Sequence, residues 1–189
     1  MIRIVTIVGG AFLVAACADM PVSGTSIPGP TYESAKSSGL LAANFDAADQ
    51  LLSMAQRPLG AQVPIIVTTL VNLDDLNQTS SLGRLISEHI ATRVTQRGLN
   101  VAELRLTSKV YVRAATGGEM MLSRDIREIA ANHNAQAVIV GTFSVGSEYV
   151  YVNVKLIEGG ENRVIAAHSY LLPNVGQVKV LARGRIGPS

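Results

Sequence analysis

An apolar segment followed by an amphipathic one forms the centre of the hydrophobic pattern. From Ile65 to Val71 nearly every residue is apolar or β-branched, which is typical of a strand buried on both faces. From Leu82 the apolar residues recur every three or four positions, so the pattern predicts a helix after the strand. Ser80 or Thr79 can cap its first turn, and Gly98 suits a left-handed position after its last turn. We therefore expect a central strand and a helix packed beside it.

A second amphipathic helix is predicted ahead of this strand. Between Tyr32 and Gln56 the apolar residues fall three or four positions apart, and Pro58 and Gly60 end the pattern. The apolar face of this helix serves either the core of the domain or a partner in an assembly. Packing on the sheet of the same domain is the interpretation favoured here, because such faces usually serve the core.

The segments after Gly98 predict a parallel arrangement. Residues 99–106 alternate weakly and are expected to pair in parallel with the central strand through a right-handed crossover. A helix is predicted over residues 124–133, with Ser123 as its cap and Asn134 at its end. Residues 137–143 are again apolar and predict another buried strand.

The C-terminal part predicts an antiparallel meander. Residues 149–156 alternate between apolar and polar side chains, and a last strand is expected over about residues 163–172. From Pro173 onward the chain predicts a loose tail, with a short strand over residues 177–182 as the alternative. The fold class is therefore α/β: one domain whose mixed sheet combines a βαβ unit with a meander and is packed by two to three helices.

The first residues resemble a bacterial lipoprotein signal. Arg3 precedes an apolar run over residues 4–14, and Val14-Ala15-Ala16 places small side chains directly before Cys17. A signal peptidase needs an extended backbone with little bulk, and the thiol of this cysteine would take the diacylglycerol. An ordinary signal peptide or a short membrane helix is the alternative, but the apolar run is short for a bilayer. Ala18, where an aspartate would mark inner-membrane retention, resembles outer-membrane sorting.

Proline and glycine separate this signal from the domain. Residues 19–30 contain three prolines and two glycines among small polar residues, a composition that cannot bury enough surface to order itself. We therefore predict a lipoprotein signal peptide over residues 1–16 and a lipidated cysteine with a flexible tether over residues 17–31. The folded domain is predicted over residues 32–172, and the tail over residues 173–189.

Composition excludes several classes of function. The formal net charge is +2, from 16 basic and 14 acidic residues without a basic block, so nucleic acid is not expected as a partner. The single cysteine excludes an internal disulfide framework and a multi-cysteine metal site. Aromatic residues make up 4% of the chain and tryptophan is missing, so the core is expected to be aliphatic.

One polar loop is a candidate for ligand binding. Asn72, Asp74 and Asp75 follow the carboxyl end of the central strand, where open α/β sheets commonly bind ligands. The loop lacks the alternating spacing and distal glutamate of a calcium loop and the glycines of a phosphate loop. Turn and cap formation is the favoured interpretation, and Arg84 is a candidate ion-pair partner of either aspartate. We expect neither a metal nor a cofactor.

Catalytic motifs are not evident in the sequence. His89, His133 and His168 are far apart along the chain, and none has a nucleophile or carboxylate at a recognisable spacing. The sequence contains no GxSxG or HExxH motif and no recognisable pair of catalytic carboxylates. An enzyme is therefore not predicted.

Four segments resemble the FlgO family of flagellar outer-membrane lipoproteins. They are NLDDLNQTS (residues 72–80), LGRL (82–85), GEMMLSRD (118–125) and NAQAVIVGT (134–142), and the resemblance extends over residues 32–172. It implies a fold similar to the amino-terminal domain of the translocation protein TolB. The family has no catalytic residues to carry over, only the lipid-bearing cysteine, here Cys17.

The resemblance implies a non-enzymatic scaffold that faces the periplasm. Acyl chains on Cys17, palmitate among them, would hold the chain to the outer membrane, and the domain would dock on ring components of the flagellar basal body and support motility. Association into a homo-oligomer is left open. The alternative is an envelope lipoprotein unrelated to flagella that binds a ligand such as peptidoglycan or has a regulatory role, using the loop of Asp74 and Asp75.

Lipidation at Cys17 is testable because this is the only cysteine of the chain. Metabolic labelling with a palmitate analogue is expected to label the wild type and to leave Cys17→Ser unlabelled, since serine lacks the thiol. Ala18→Ser serves as the control, because it alters the neighbouring residue and keeps the thiol. Equal labelling of wild type and Cys17→Ser would refute the prediction.

Overall fold

The computed structural model describes most of the predicted domain. The described residues are 31, 39–55, 59–75, 80–102, 126–161 and 163–183. The chain divides after Pro30, and every described residue belongs to the unit Thr31–Ser189. The signal peptide, Cys17, the tether up to residue 30, Ser123 and the predicted strand residues 103–106 lie outside the described residues.

Helices and strands follow the predicted α/β order. In chain order they are α1 (Gly39–Met54), β1 (Ile65–Val67), β2 (Val71–Asn72), α2 (Ser81–Gln96), β3 (Val101–Ala102), α3 (residues 126–132), β4 (Ala137–Val145), β5 (Tyr149–Glu158), β6 (Val164–Pro173) and α4 (Gly176–Ala182).

The strands form one mixed sheet in the order β3-β1-β4-β5-β6, with β2 beside β4. β1 pairs in parallel with both β3 and β4, which confirms the βαβ unit. β4, β5 and β6 pair antiparallel, which confirms the meander. β1 and β2 lie beside the same strand, β4, with Ile65 opposite Ala137 and Val71 opposite Thr142. They are therefore two halves of one strand.

The interruption between these halves differs from the continuous strand that the apolar run predicted. At the break, the Ser87 hydroxyl of α2 accepts a hydrogen bond from the Leu70 amide at 3.0 Å. The same hydroxyl lies 2.9 Å from the Thr68 carbonyl oxygen and 3.0 Å from that of Gly83. Buried backbone groups must find partners, and a side chain of α2 supplies them where the sheet does not.

Helix α2 approaches this break very closely. A Cβ atom at Gly83 would overlap the carbonyl oxygen of Leu70 and crowd the ring of Phe143. The Ser80 hydroxyl accepts a hydrogen bond from the Gly83 amide at 3.1 Å, which confirms Ser80 as the N-cap. Gly98 has φ +82°, which confirms the predicted left-handed residue after the helix.

Helices cover both faces of the sheet. The larger core cluster joins α1 and α2 to one face and includes Leu51, Ile86 and Phe143. On the other face, Ile126 and Ala130 of α3 belong to a smaller cluster; its strand residues are Ile66, Val138 and Ile157. The apolar face of α1 thus serves the core of the domain, as favoured from the sequence. Asn134, with φ 49°, follows α3 as predicted.

The predicted tail or short strand over residues 177–182 is wrong, because Gly176–Ala182 forms helix α4. Val178 is 7% exposed, and Leu181 and Ala182 pack against the same core cluster. These three residues are spaced i, i+3, i+4, so they share one side of a helix. The alternation of Val178 and Val180 resembled a strand, but Val180 is 73% exposed.

Two glycines in the first turns of helices allow a matched test of the close approach. Gly83→Ala is expected to lower the free energy of unfolding by about 1–3 kcal/mol, because the added methyl group forces α2 away from the sheet. At Gly39 an added Cβ would meet no atom of the described residues within 4 Å apart from its chain neighbours and its own helix backbone, so Gly39→Ala is expected to be neutral or slightly stabilising. Urea unfolding followed by circular dichroism measures both. Equal effects of the two substitutions would contradict the packing described here.

Candidate functional site

The structure places the predicted ligand loop at the carboxyl ends of β2 and β4. The Asn72 side-chain oxygen accepts a hydrogen bond from the Asp74 amide at 3.0 Å, which is the geometry of an Asx turn. The hydroxyl of Ser144, near the end of β4, donates to the Asp74 carboxylate at 3.3 Å. Asp74 is exposed, whereas Asn72 and Asp75 are half-buried. The loop thus has the turn structure that the sequence favoured.

Arg84, the fourth predicted site residue, contacts its own helix. Its guanidinium donates to the Ser81 hydroxyl at 3.4 Å, and the side chain is exposed. An ion pair with Asp74 or Asp75 stays a prediction. In the described part of the chain no group of three or more histidine, cysteine, aspartate or glutamate side chains could hold a metal ion.

A second polar cluster lies between α1 and α2, and the sequence did not predict it. Asp49 of α1 accepts hydrogen bonds from Arg93 Nε at 3.0 Å and from Arg93 Nη2 at 2.7 Å. Arg97, directly after α2, donates to the same carboxylate through Nε at 2.7 Å and Nη2 at 2.6 Å. The guanidiniums of Arg97 and Arg93 hold the pKa of the Asp49 carboxyl well below its usual range. One carboxylate therefore joins the two helices.

Aromatic contacts extend this cluster towards the N-terminal part of α2. The Arg93 guanidinium carbon lies 5.5 Å from the centroid of the Phe45 ring, within the range of a cation–π contact. The Phe45 ring meets His89 edge-on, with 6.3 Å between the ring centroids. The side chains of the two helices thus form a continuous row from Arg97 to His89.

A buried hydrogen-bond network continues from His89 into the core. Asn44, which is 0% exposed, places its side-chain nitrogen 2.9 Å from His89 Nδ1. Its side-chain oxygen accepts a hydrogen bond from the Tyr170 hydroxyl of β6 at 2.6 Å. The neutral ring of His89 accepts at Nδ1, and burial lowers its pKa. Burial likewise raises the pKa of Tyr170.

The histidines that seemed isolated in the sequence are thus partly brought together. The ring of His168 stacks on Tyr170, with 6.0 Å between the ring centroids, so His168 adjoins the network that contains His89. His133 lies apart, exposed after α3. The contact between Asn44 and His89 Nδ1 joins α1 to α2.

An open groove of about 430 Å³ lies between the C-terminal ends of α1 and α2. Its lining residues are Asp49, Leu52, Ser53, Ala55, Leu59, Arg97 and Leu99. The groove is apolar on one side and carries the Asp49–Arg97 pair on the other. Among these lining residues the charged side chains are Asp49 and Arg97, and they form an ion pair with each other.

The signals for these clusters in the sequence are faint. Arg93 and Arg97 are four residues apart on one helix, which places them on one face, but Asp49 lies 44 residues before Arg93. Asn44 interrupts the apolar face of α1 three residues after Leu41, and a polar residue at such a position indicates a buried hydrogen bond. The identity of its partners, 45 and 126 residues away, is not readable from a local pattern.

None of the helices in the described ranges is both long enough and apolar enough to cross a bilayer.

A family model and several solved structures match this chain. The model described as FlgO protein matches residues 45–176, which extend from α1 to the start of α4. Among proteins with curated functions, none matches the sequence.

The solved structures that match share the fold at low sequence identity. The LpoB C-terminal domain from Escherichia coli matches with a TM-score of 0.53 and 12% identity, over 71% of this chain and 98% of that chain. The LpoB C-terminal domain from Salmonella enterica gives a TM-score of 0.52 and 13% identity, again over 71% of this chain and 98% of that chain. An NMR structure of Escherichia coli LpoB gives a TM-score of 0.50 and 11% identity, over 92% of this chain and 84% of that chain. Identities this low show a shared fold and nothing further.

The buried histidine predicts a pH dependence of stability. Because burial lowers the pKa of His89 in the folded state, the unfolded chain binds its proton more readily. The contribution of His89 to stability is therefore complete above the unfolded pKa, about 6.5, and is lost as the pH falls through the lower folded pKa. Thermal unfolding of the wild type between pH 8 and pH 5 is expected to show this loss.

Matched glutamine variants isolate the contribution of His89. His89→Gln is expected to unfold with a weaker dependence on pH, by up to one proton per molecule, whereas the exposed His133→Gln retains the wild-type dependence. The same dependence in wild type and His89→Gln would show that this ring does not carry the effect.

Proposed function

Since the chain belongs to the FlgO family, we propose that it is an outer-membrane lipoprotein whose periplasmic domain binds and scaffolds the flagellar basal body. The observation that carries this proposal is the family match over residues 45–176. The match includes every described strand and the C-terminal part of α1 from residue 45 onward, so it covers the folded core and not an isolated motif. Family membership supports the assignment of the chain as an outer-membrane lipoprotein. Binding to the flagellar basal body is proposed in addition.

The anchor in this proposal is Cys17. The small residues before it suit cleavage by a signal peptidase, and the mature chain would then begin with an acylated cysteine. Each buried methylene contributes about 0.8 kcal/mol to membrane binding, and more than one acyl chain makes the attachment stable. Ala18 supports sorting to the outer membrane, so the domain would face the periplasm.

The tether sets the distance over which the domain acts. Residues 19–30 are 12 residues rich in proline and glycine, and an extended residue spans at most about 3.5 Å. A tether of this length would therefore allow the domain to reach at most about 40 Å from the membrane. In this proposal, such a tether raises the local concentration of the domain near the membrane and allows it to rotate into the orientation that binds a ring of the basal body.

The polar groups of the domain support binding and not catalysis. Asp49 is engaged by two guanidiniums, and His89 and Tyr170 are engaged by Asn44. These residues hold α1 on α2 and on β6. The accessible features are the groove beside Arg97 and the exposed Tyr149 and Tyr151 on β5, and tyrosine and arginine are enriched where proteins bind one another.

The proposal is tested by motility and by imaging of the basal body. A strain that lacks the chain is expected to swim poorly and to lose density at the outer-membrane ring, because the scaffold is missing. Complementation with the wild type is expected to restore both, and complementation with Cys17→Ser is not, because the unlipidated domain is not held at the membrane.

Protein levels and an unrelated envelope phenotype provide the controls. Immunoblotting must find the Cys17→Ser chain in the periplasm at the wild-type level. A failure to complement can then be attributed to the missing lipid anchor and not to a lower amount of protein. Normal rings and normal swimming in the deletion strain would refute the flagellar role. Sensitivity to cell-wall antibiotics in that strain would then favour the alternative of an envelope ligand-binding or regulatory lipoprotein.

A further inference from the structure

The two edges of the sheet differ strongly in length. At one edge β3 contributes two residues, Val101 and Ala102, in the described part of the chain. At the other edge β6 has ten residues and pairs with β5 along its length. No other strand among the described residues pairs with the outer side of β6. Alternate amide and carbonyl groups along about 24 Å of this strand, from Ala166 to Leu172, therefore point away from the sheet.

From Ala166 to Leu172, β6 lacks the features by which edge strands usually avoid pairing. Between Val164 and Pro173 there is no lysine, arginine, aspartate or glutamate, and the only proline is the last residue. One bulge is present in β6 itself: Leu156 pairs with Ala166 and Ile157 with Val164, so Ile165 is the extra residue. From Ala166 to Leu172 the pairing is regular. An edge that is long, regular and uncharged is a template for another strand.

The two faces of β6 show which side of the strand is available. Ala166 and Leu172, which point towards α1, are 7% and 1% exposed. Ala167, Ser169 and Leu171 alternate with them on the opposite face and are exposed. A strand added at this edge would extend the buried face beneath the helices and the exposed face beside Tyr151.

We propose that β6 pairs antiparallel with β6 of a second copy of this chain, joining two sheets into one across a two-fold axis. This interface goes beyond the scaffold role proposed above and does not depend on it.

Symmetry and charge favour a second copy as the occupant. Two identical strands pair antiparallel about a two-fold axis, and each one then satisfies the free groups of the other. β6 carries no lysine, arginine, aspartate or glutamate, and with Ser169 at the axis His168 would lie opposite Tyr170 of the other copy. Self-pairing therefore brings no like charges together. With Ser169 at the axis, the faces match and Leu171 of one copy lies opposite the small Ala167 of the other. An uncharged strand offers a foreign charged segment no such complement.

A matched pair of lysine variants tests the edge. Ser169 and Asn153 are opposite one another in the β5–β6 ladder, and the Ser169 hydroxyl donates to the Asn153 side-chain oxygen at 2.7 Å. Ser169→Lys and Asn153→Lys both remove this hydrogen bond and add one positive charge to the same face. Only Ser169→Lys places the charge on the edge strand, where it would oppose the same lysine of the second copy.

The readout is the mass of the full-length protein in detergent, from light scattering coupled to size exclusion over a concentration series. The wild type and Asn153→Lys are expected to be dimers, and Ser169→Lys is expected to dissociate at least tenfold more readily, because like charges meet at the axis. Circular dichroism checks that both variants fold. A monomeric wild type, equal dimerisation of the two variants, or equal loss in both would overturn the proposal.

Cross-linking in cells gives an independent test of the geometry. Ser169→Cys, treated with a short bis-maleimide, is expected to give a linked dimer, whereas Asn153→Cys, one strand further in, is not. The chain has no other cysteine than Cys17, and Ser169→Cys in the Cys17→Ser background shows whether that thiol contributes. Failure of Ser169→Cys to exceed Asn153→Cys would also overturn the proposal.

Discussion

The packing of α2 on the interrupted strand formed by β1 and β2 is the constraint on which the rest of the fold depends. Where the strand leaves the ladder, its backbone groups are buried, and Ser87 supplies the missing hydrogen bonds. That exchange requires α2 to approach within backbone contact of Leu70, and Gly83 makes the approach possible. The close packing of α2, the break in the strand and the glycine therefore depend on one another. A larger side chain at Gly83 would move α2 away from the strand at Leu70.

Once α2 is placed, polar contacts place α1 upon it. Asn44 bonds to His89 and to Tyr170, and Asp49 bonds to Arg93 and Arg97. A buried amide with both of its polar ends engaged fixes the rotation and the height of α1 more closely than apolar contacts do. The residues that would first be considered for catalysis thus orient the helices.

The comparison with the LpoB domains illustrates what a shared fold can support. About 12% identity over nearly the whole of that domain shows that the same arrangement of helices and strands is reached from very different side chains. The family match over residues 45–176 is more informative about this chain than the shared fold, because the match depends on the amino acids of the chain itself. Binding partners are determined by surface side chains, and these side chains can differ between proteins that share a fold.

Local patterns by themselves determined most of the elements of this protein. The apolar run at Ile65, the caps at Ser80, Gly98 and Asn134, and the alternation in β5 are all readable within a few residues of the chain, because capping and periodicity are properties of neighbouring residues. The break over residues 68–70, the pairing of Asp49 with two arginines and the Asn44 network were decided only by the tertiary structure. So was helix α4, whose short pattern fits a strand as well until Val178 meets the core. In each case the deciding partner lies on another helix or strand. Once a residue is buried, its polar groups need hydrogen-bond partners and its apolar groups need packing partners, and the local sequence does not specify those partners.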